Sequence, residues 1–284
     1  MRALAASDFP EAAALLHEGF PERPLAFWAA ALQRLQRYGG NADAAHPLGY
    51  FMLDGGRPVG IALTPASMRL RVDGSSVRMV NISSWYVRPA FRWRAALMLR
   101  GILADPHSIY TDLTPTPEVQ RLLPLVGMHP MNRGVAIHLL PLLALQPARG
   151  ARVRDLAEHE PWPHPGPPTA MLHAHRDLGC LPLVLEAGGQ QHLVVVRRTT
   201  LRGLPAAQLV YARSQALLLR HAGALARHLL ARGMLLWLRS TREAAHTASS
   251  VFRPRELWFA RGDNFDDHTD IFGSELCIIL GAPC

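Results

Sequence analysis

The sequence predicts an α/β (α+β) protein built on a mixed, mostly antiparallel sheet with helices on both faces. Three observations lead there. Apolar residues recur at helical spacing over 10–18 and 25–38, then give way to short strand-like runs. Those runs turn at Asp54-Gly55 and Asp73-Gly74, dipeptides that supply the positive φ angles of a tight hairpin. A β-α-β order follows, which requires a parallel strand pair in the same sheet.

The elements follow in order. Arg2 to Leu4 reads as a short strand. Ser7 or Asp8 is placed to cap a helix from Pro10 to about Glu18, with Leu15 and Leu16 inward. Pro24 opens a second helix, Leu25 to Tyr38, stopped by Gly39-Gly40. Tyr50–Leu53 and Pro58–Leu63 form a hairpin, and a strand over 66–72 turns into the long strand Val77 to Val87. An arginine-rich turn, 88–94, leads to a helix from Ala95 to about Ala104. Then come a strand at Ile109–Leu113, a helix from Pro117 to Leu125 ended by Gly127, and a strand at Val135–Leu140.

The second half starts after Gln146–Gly150. Arg152–Asp155 is strand-like, and Pro161–Pro168 holds too many prolines for a helix or a central strand. Ala170–Leu178 reads as a short helix, Leu181–Glu186 with His192–Arg198 as a hairpin, and Gln208–Ala212 as a strand. Ser214–Arg232 reads as one long helix capped by Gly233, with Leu217, Leu218, Ala222, Leu225 and Leu229 on one face. Leu235–Leu238, Leu257–Arg261 and Glu275–Leu280 read as strands. Both halves contain hairpin, strand, helix and strand in that order, which divides the chain into domains 1–147 and 148–284.

Composition narrows the chemistry. The chain has 284 residues, 49% of them hydrophobic, as a globular protein does. All 30 of its basic residues are arginine and none is lysine, with a formal charge of +8. P-loop nucleotide binding, Schiff-base or pyridoxal chemistry and kinase chemistry each need a lysine and are excluded. The positive charge favours anionic ligands such as phosphates. The arginines are scattered rather than interleaved with aromatics, so a nucleic-acid-binding protein stands only as an alternative.

Cys180, Cys277 and Cys284 form no C-x-x-C motif, which implies neither a disulfide framework nor a zinc site, and points to a reducing cytoplasm. The stretch Met1–Phe9 lacks the apolar core of a signal peptide. The apolar run Val135–Leu145 is interrupted by His138 and Pro141 and falls short of the ~20 residues of a membrane helix. His173 and His175, with Asp177, are too closely spaced for a ligand set, because residues two apart point away from each other on a helix. The acidic loop Asp263–Asp270 has His268 where a calcium loop needs glycine, so no metal is expected. No G-x-S-x-G nucleophile motif occurs.

The most informative segment is Trp85 to Leu99, WYVRPAFRWRAALML. Its Val87, Pro89, Phe91 and Arg92 resemble the acyl-coenzyme A signature of the GNAT acyltransferase superfamily, in which a strand ends in V-x-P-x-aromatic-R and a glycine-rich loop opens a helix. The resemblance implies a GNAT-like fold, with the two halves as a tandem pair, and transfer of an acyl group from acetyl-CoA or another acyl-CoA to a small-molecule or amine acceptor. Backbone N–H groups at a helix N-terminus suit a pyrophosphate. By that resemblance Tyr86 and Val87 would contact the pantetheine, and Arg92, Trp93, Arg94, Ala95 and Ala96 the pyrophosphate. Asp112, on the next strand, is the candidate base.

The departures are specific. Ala95 and Leu97 stand where the family has loop glycine or another small residue, and Trp93 follows the arginine. Leu123 falls at the position of the family's proton-donating tyrosine. Tyr110, Tyr86 and His107 are the candidate substitute donors. A catalytically inactive ligand-binding or scaffold protein of the same fold is therefore the first alternative.

Overall fold

The computed structural model describes residues 1–39, 46–242, 249–254, 257–262 and 267–279. Gly40, Asp263, Leu280 and Cys284, used in the sequence reading, lie outside them. The chain folds as two compact units. The first comprises Met1–His129 with the returning segments Trp258–Asp263 and Gly273–Cys284; the second comprises Pro130–Leu257 and Asn264–Phe272.

In the first unit β1 (Arg2–Ala3) precedes helices α1 (Phe9–Gly19) and α2 (Leu25–Gly39). Strands β2 (Gly49–Asp54), β3 (Arg57–Leu63), β4 (Ala66–Leu70) and β5 (Ser76–Val87) follow, with β3 and β4 both paired to β5. The β2–β3 turn is tight because Gly55 and Gly56 both adopt positive φ, 53° and 81°. A turn of 3-10 helix, Pro89–Arg94, leads into α3 (Ala95–Ile102), β6 (Ile109–Asp112) and α4 (Pro117–Leu122). Gly127 ends the following 3-10 turn in the left-handed conformation, φ 82°. The two-residue strand β7 (His129–Pro130) marks the boundary between units.

The second unit holds β8 (Gly134–Leu139), α5 (Leu140–Ala144), β9 (Arg152–Asp155), α6 (Thr169–Ala174), β10 (Cys180–Ala187), β11 (Gln190–Leu201) and β12 (Leu204–Ala212). Helices α7 (Gln215–Arg220) and α8 (Ala222–Leu230), then β13 (Leu236–Thr241) and β14 (Ser250–Pro254), follow. The chain returns to the first unit for β15 (Phe259–Arg261), to the second for β16 (Thr269–Asp270), and to the first for α9 (Glu275–Ile278).

Each unit owns a mixed sheet in which one parallel pair sits among antiparallel neighbours. In the first the order is β1-β2-β3-β5-β6-β15, with β4 also beside β5. There β5 and β6 run parallel, in the register Met79↔Ile109 to Ile82↔Asp112. In the second the order is β14-β8-β13-β12-β11-β10-β9, and β12–β13 is the parallel pair. A helix or helix pair crosses between the parallel strands in both units, the connection that parallel pairing demands.

Several readings differ from the structure. The strand at 135–140 pairs with β13 and β14, so the second unit starts at Pro130 rather than at 148. The helix read over 214–232 breaks at His221 (φ −112°, ψ 23°), where Gly223 lies so close to Gln146 O that an added Cβ would meet it at 2.3 Å. Within the segment read as the strand Glu275–Leu280, the described residues Glu275–Ile278 form a helical turn instead. Ser274 caps a helical turn there, with its carbonyl accepting from Cys277 and Ile278 N–H. The run Cys-Ile-Ile-Leu has strand propensity, but Ser274 enters in an extended conformation (φ −80°, ψ 174°) and its carbonyl takes the first hydrogen bonds of a helical turn.

Candidate functional site

The site of the first unit originates in a break in β5. The strand pairs with β4 through its first half and with β3 through its second, and the register slips between Leu63↔Ser83 and Ile61↔Tyr86. Ser84 absorbs the extra residue with φ 47°, a conformation L-residues adopt only under constraint. On its other edge β5 pairs with β6 only as far as Ile82↔Asp112. Beyond that pair the parallel strands part, and residues 83–87 have no strand partner on that edge among the described residues.

The N–H groups there follow the strand's alternation. Arg88 N–H donates to Val59 O at 2.9 Å, which places the Val87 amide on the open edge. Arg92 Nε donates to Val87 O at 3.4 Å, and its terminal guanidinium nitrogens make no hydrogen bond among the described residues. The other two arginines of the turn are committed. Arg88 pairs with Glu18 at 2.8 Å, and Arg94 with Asp54 at 3.0 Å. Tyr86 donates its hydroxyl to Glu18 at 3.0 Å, and its ring lies where a Cβ on Gly19 would be, at 2.3 Å.

The turn itself is wound rather than open. Phe91 N–H donates to Arg88 O, and Ala95 N–H to Arg92 O. The glycines that would leave such amides turned outward are absent, so Pro89 starts a 3-10 helix that runs into α3. Trp93 is 81% exposed, and Ala96 is also exposed.

A cavity of about 320 Å³ occupies the parting of the strands. Ile82, Ser83, Ser84 and Trp85 line it from β5, Asp112 from β6, and Phe20, Phe27 and Trp28 from the α1–α2 region. Thr114, Thr116 and Val119 close another side, and Glu275 from α9 completes it.

Two carboxyl groups meet there, both almost fully buried. Asp112 is 5% exposed and Glu275 3%. Asp112 is pushed well above the usual carboxylate range, first by burial and then by the charge of Glu275; Thr114 N–H, at 3.3 Å, opposes this. Burial raises Glu275 too, but hydroxyls of Thr114, Ser83 and Ser84 hydrogen-bond to it and favour its charged form. Glu275 therefore takes the pair's negative charge first, and Asp112 retains its proton. Neither forms an ion pair with an arginine among the described residues.

Asn81 fixes the arrangement. Its Oδ1 accepts from Glu275 N–H at 2.9 Å, and its Nδ2 donates to Thr111 Oγ1 at 3.2 Å and Thr111 O at 3.3 Å. One buried amide thus ties β5, β6 and α9 together.

Of the residues singled out in the sequence, the structure brings Asp112 into the cavity and sets Val87 and Arg92 on the open edge beside it. It does not bring Tyr110, which is buried, does not line the cavity, and hydrogen-bonds toward Ser108 and Asp105. His107 is exposed, with its N–H on Asp105. Leu123 is fully buried. Glu275 was not singled out: it lies far along the chain in a segment read as strand, and only Gly273-Ser274 before it signals a helix start. Trp28 and Phe27 read as ordinary apolar positions of α2.

No family model matches the sequence, and no curated protein matches it. Solved structures do. A GCN5-related N-acetyltransferase from Anabaena variabilis superimposes over 92% of this chain and 71% of its own, with a TM-score of 0.58 at 11% identity. Eis1 from Mycobacterium abscessus matches over 92% of this chain and 72% of its own, with a TM-score of 0.50 at 15% identity. The chain has the GCN5-related N-acetyltransferase fold, as the segment Trp85–Leu99 implies. Identity this low makes the likeness one of fold.

Proposed function

We propose that the first unit is an acyl-coenzyme A-dependent N-acyltransferase acting on an amine. The observation that carries this reading is the parting of β5 from β6 at Ser84, with an uncompensated carboxyl pair at the base of the opening. The unpaired edge at Val87 offers a backbone amide to the pantetheine, and Arg92 is the arginine of the turn left available to the phosphates. The wound turn 89–95 supplies fewer outward amides than a glycine-rich loop, so Arg92 bears more of that role.

The thioester would supply an activated acyl carbon. Glu275, ionised first, removes a proton from the incoming ammonium so that a neutral amine attacks. Asp112, still protonated, gives its proton to the departing thiolate sulfur in place of a tyrosine. The new amide nitrogen loses its second proton to solvent, and Glu275 passes the proton it took to Asp112, which restores the pair and leaves one proton released per turnover. The cavity holds both partners close, which supplies the entropic part of the rate.

Calorimetric titration with acetyl-CoA tests the first step. Binding that weakens in Arg92→Ala supports the reading. A flat response, unchanged by Arg92→Ala, rejects it. The buried Leu123 and the wound turn favour a second reading, an inactive ligand-binding protein of this fold. Coenzyme binding without transfer to any amine would select it.

A further inference from the structure

The cavity also constrains the acceptor. Its walls are aromatic: Phe20, Phe27, Trp28 and Trp85 all line it. Phe20 and Trp28 stand 5.5 Å apart between ring centroids, and Phe27 meets Trp28 edge-on at 5.1 Å. Among the described residues no asparagine or glutamine lines it, and the hydroxyls of Ser83, Ser84 and Thr114 are turned to one another or to Glu275. A polyhydroxylated ligand would lose its water and gain few partners.

Charge is distributed unevenly in the cavity. Glu22 and Arg23 are exposed, and the Arg23 guanidinium lies 5.0 Å from the Phe27 ring centroid. The buried end holds Asp112 and Glu275 without a cation. A ligand cation is repelled beside Arg23 and attracted at the carboxyls, where a buried negative charge has no other neutralising partner. Its apolar body then lies among the rings.

We infer that the acceptor is a small primary amine with an aryl or alkyl body, bound with its ammonium on the Asp112–Glu275 pair and its body between Phe20, Phe27, Trp28 and Trp85. The volume of about 320 Å³ is at the small end for ligand pockets and suits a free small molecule. This rests on the acyltransferase reading only for the word acceptor; the binding itself does not.

The test is calorimetry on the full chain without coenzyme, using phenethylamine, 2-phenylethanol, ethanolamine and glucosamine. Phenethylamine is expected to bind at least about tenfold tighter than each of the other three, a difference of about 1.4 kcal/mol. Glu275→Gln should bring phenethylamine down to the level of 2-phenylethanol. Phe27→Leu, at a half-buried position, should weaken it while the far-UV spectrum stays unchanged. Equal or tighter binding of glucosamine, ethanolamine or 2-phenylethanol overturns the inference, as does no binding of phenethylamine. Phenethylamine binding without acyl transfer would remove the acyltransferase reading and leave this one standing. Transfer to glucosamine but not to phenethylamine would do the reverse.

Discussion

The backbone N–H of Glu275 donates to the side-chain oxygen of Asn81 at 2.9 Å, joining the first turn of α9 to the middle of β5. Both residues are buried, at 3% and 5% exposure. Asn81→Leu would leave that N–H and the Thr111 carbonyl without their partner in a place water does not reach. The expected cost is about 1–3 kcal/mol per orphaned group. Urea denaturation should show a lower midpoint with an unchanged slope, and acyl transfer should fall because Glu275 loses its anchor.

The carboxyl pair gives a rate prediction. Glu275→Gln and Asp112→Asn should each lower kcat by roughly 10²- to 10⁴-fold, the usual range for a proton-transfer group. Steady-state release of coenzyme A thiol measures it. A variant that keeps full kcat would remove that residue from the chemistry.

The same pair gives a stability prediction of definite sign. Asp112 binds its proton more tightly in the folded chain than in the unfolded one. Its contribution is present in full at low pH and is lost as pH rises from the ordinary carboxylate range through the raised folded value. Asp112→Asn, which cannot ionise, should therefore melt higher than the parent at pH 7, and the difference should shrink towards pH 4. A difference independent of pH would contradict the assignment.

Three neighbouring arginines should behave differently. Arg92→Ala should raise KM for the acyl-CoA about tenfold with kcat nearly unchanged, the signature of a lost binding contact. Arg88→Ala and Arg94→Ala remove surface ion pairs with Glu18 and Asp54. Each should cost at most about 1 kcal/mol of stability and leave KM in place. Initial-rate kinetics on the three variants separates these outcomes.

His138 is an acid-sensitive group of the second unit. It is 5% exposed, stacks on Trp237 at 4.8 Å, and is pushed down to about 4, chiefly by burial and then by Arg239. The unfolded chain binds that proton more readily, so stability present above about pH 6.5 is lost as pH falls towards 4, by about 3 kcal/mol. Thermal melts of His138→Phe should have a flatter pH dependence over that interval than the parent.

Local chemistry made part of this protein legible in its sequence. Leu15 and Leu16 in α1, the glycines of the β2–β3 turn, and the alternation of β5 each act over a few residues, so periodicity and turn chemistry find them. The absence of lysine excludes several chemistries at any level of structure. Val87, Pro89, Phe91 and Arg92 mark the strand-turn-helix because their roles are set by near neighbours. Asp112 was found because β6 follows that helix directly.

Tertiary structure decided the rest. Glu275 stands 163 positions beyond Asp112 in number, and no local signal says that α9 returns to the first sheet. The assignment of β8 to the second unit depends on pairing with β13 and β14, a competition between sheets that one strand's pattern cannot express. The slip at Ser84 depends on β3 and β6 holding β5 from opposite edges. The sequence determined which short segments form and which chemistries are closed to the chain. Only packing over long separations brought two carboxyls into one buried space, and that proximity, through desolvation and mutual repulsion, sets their protons.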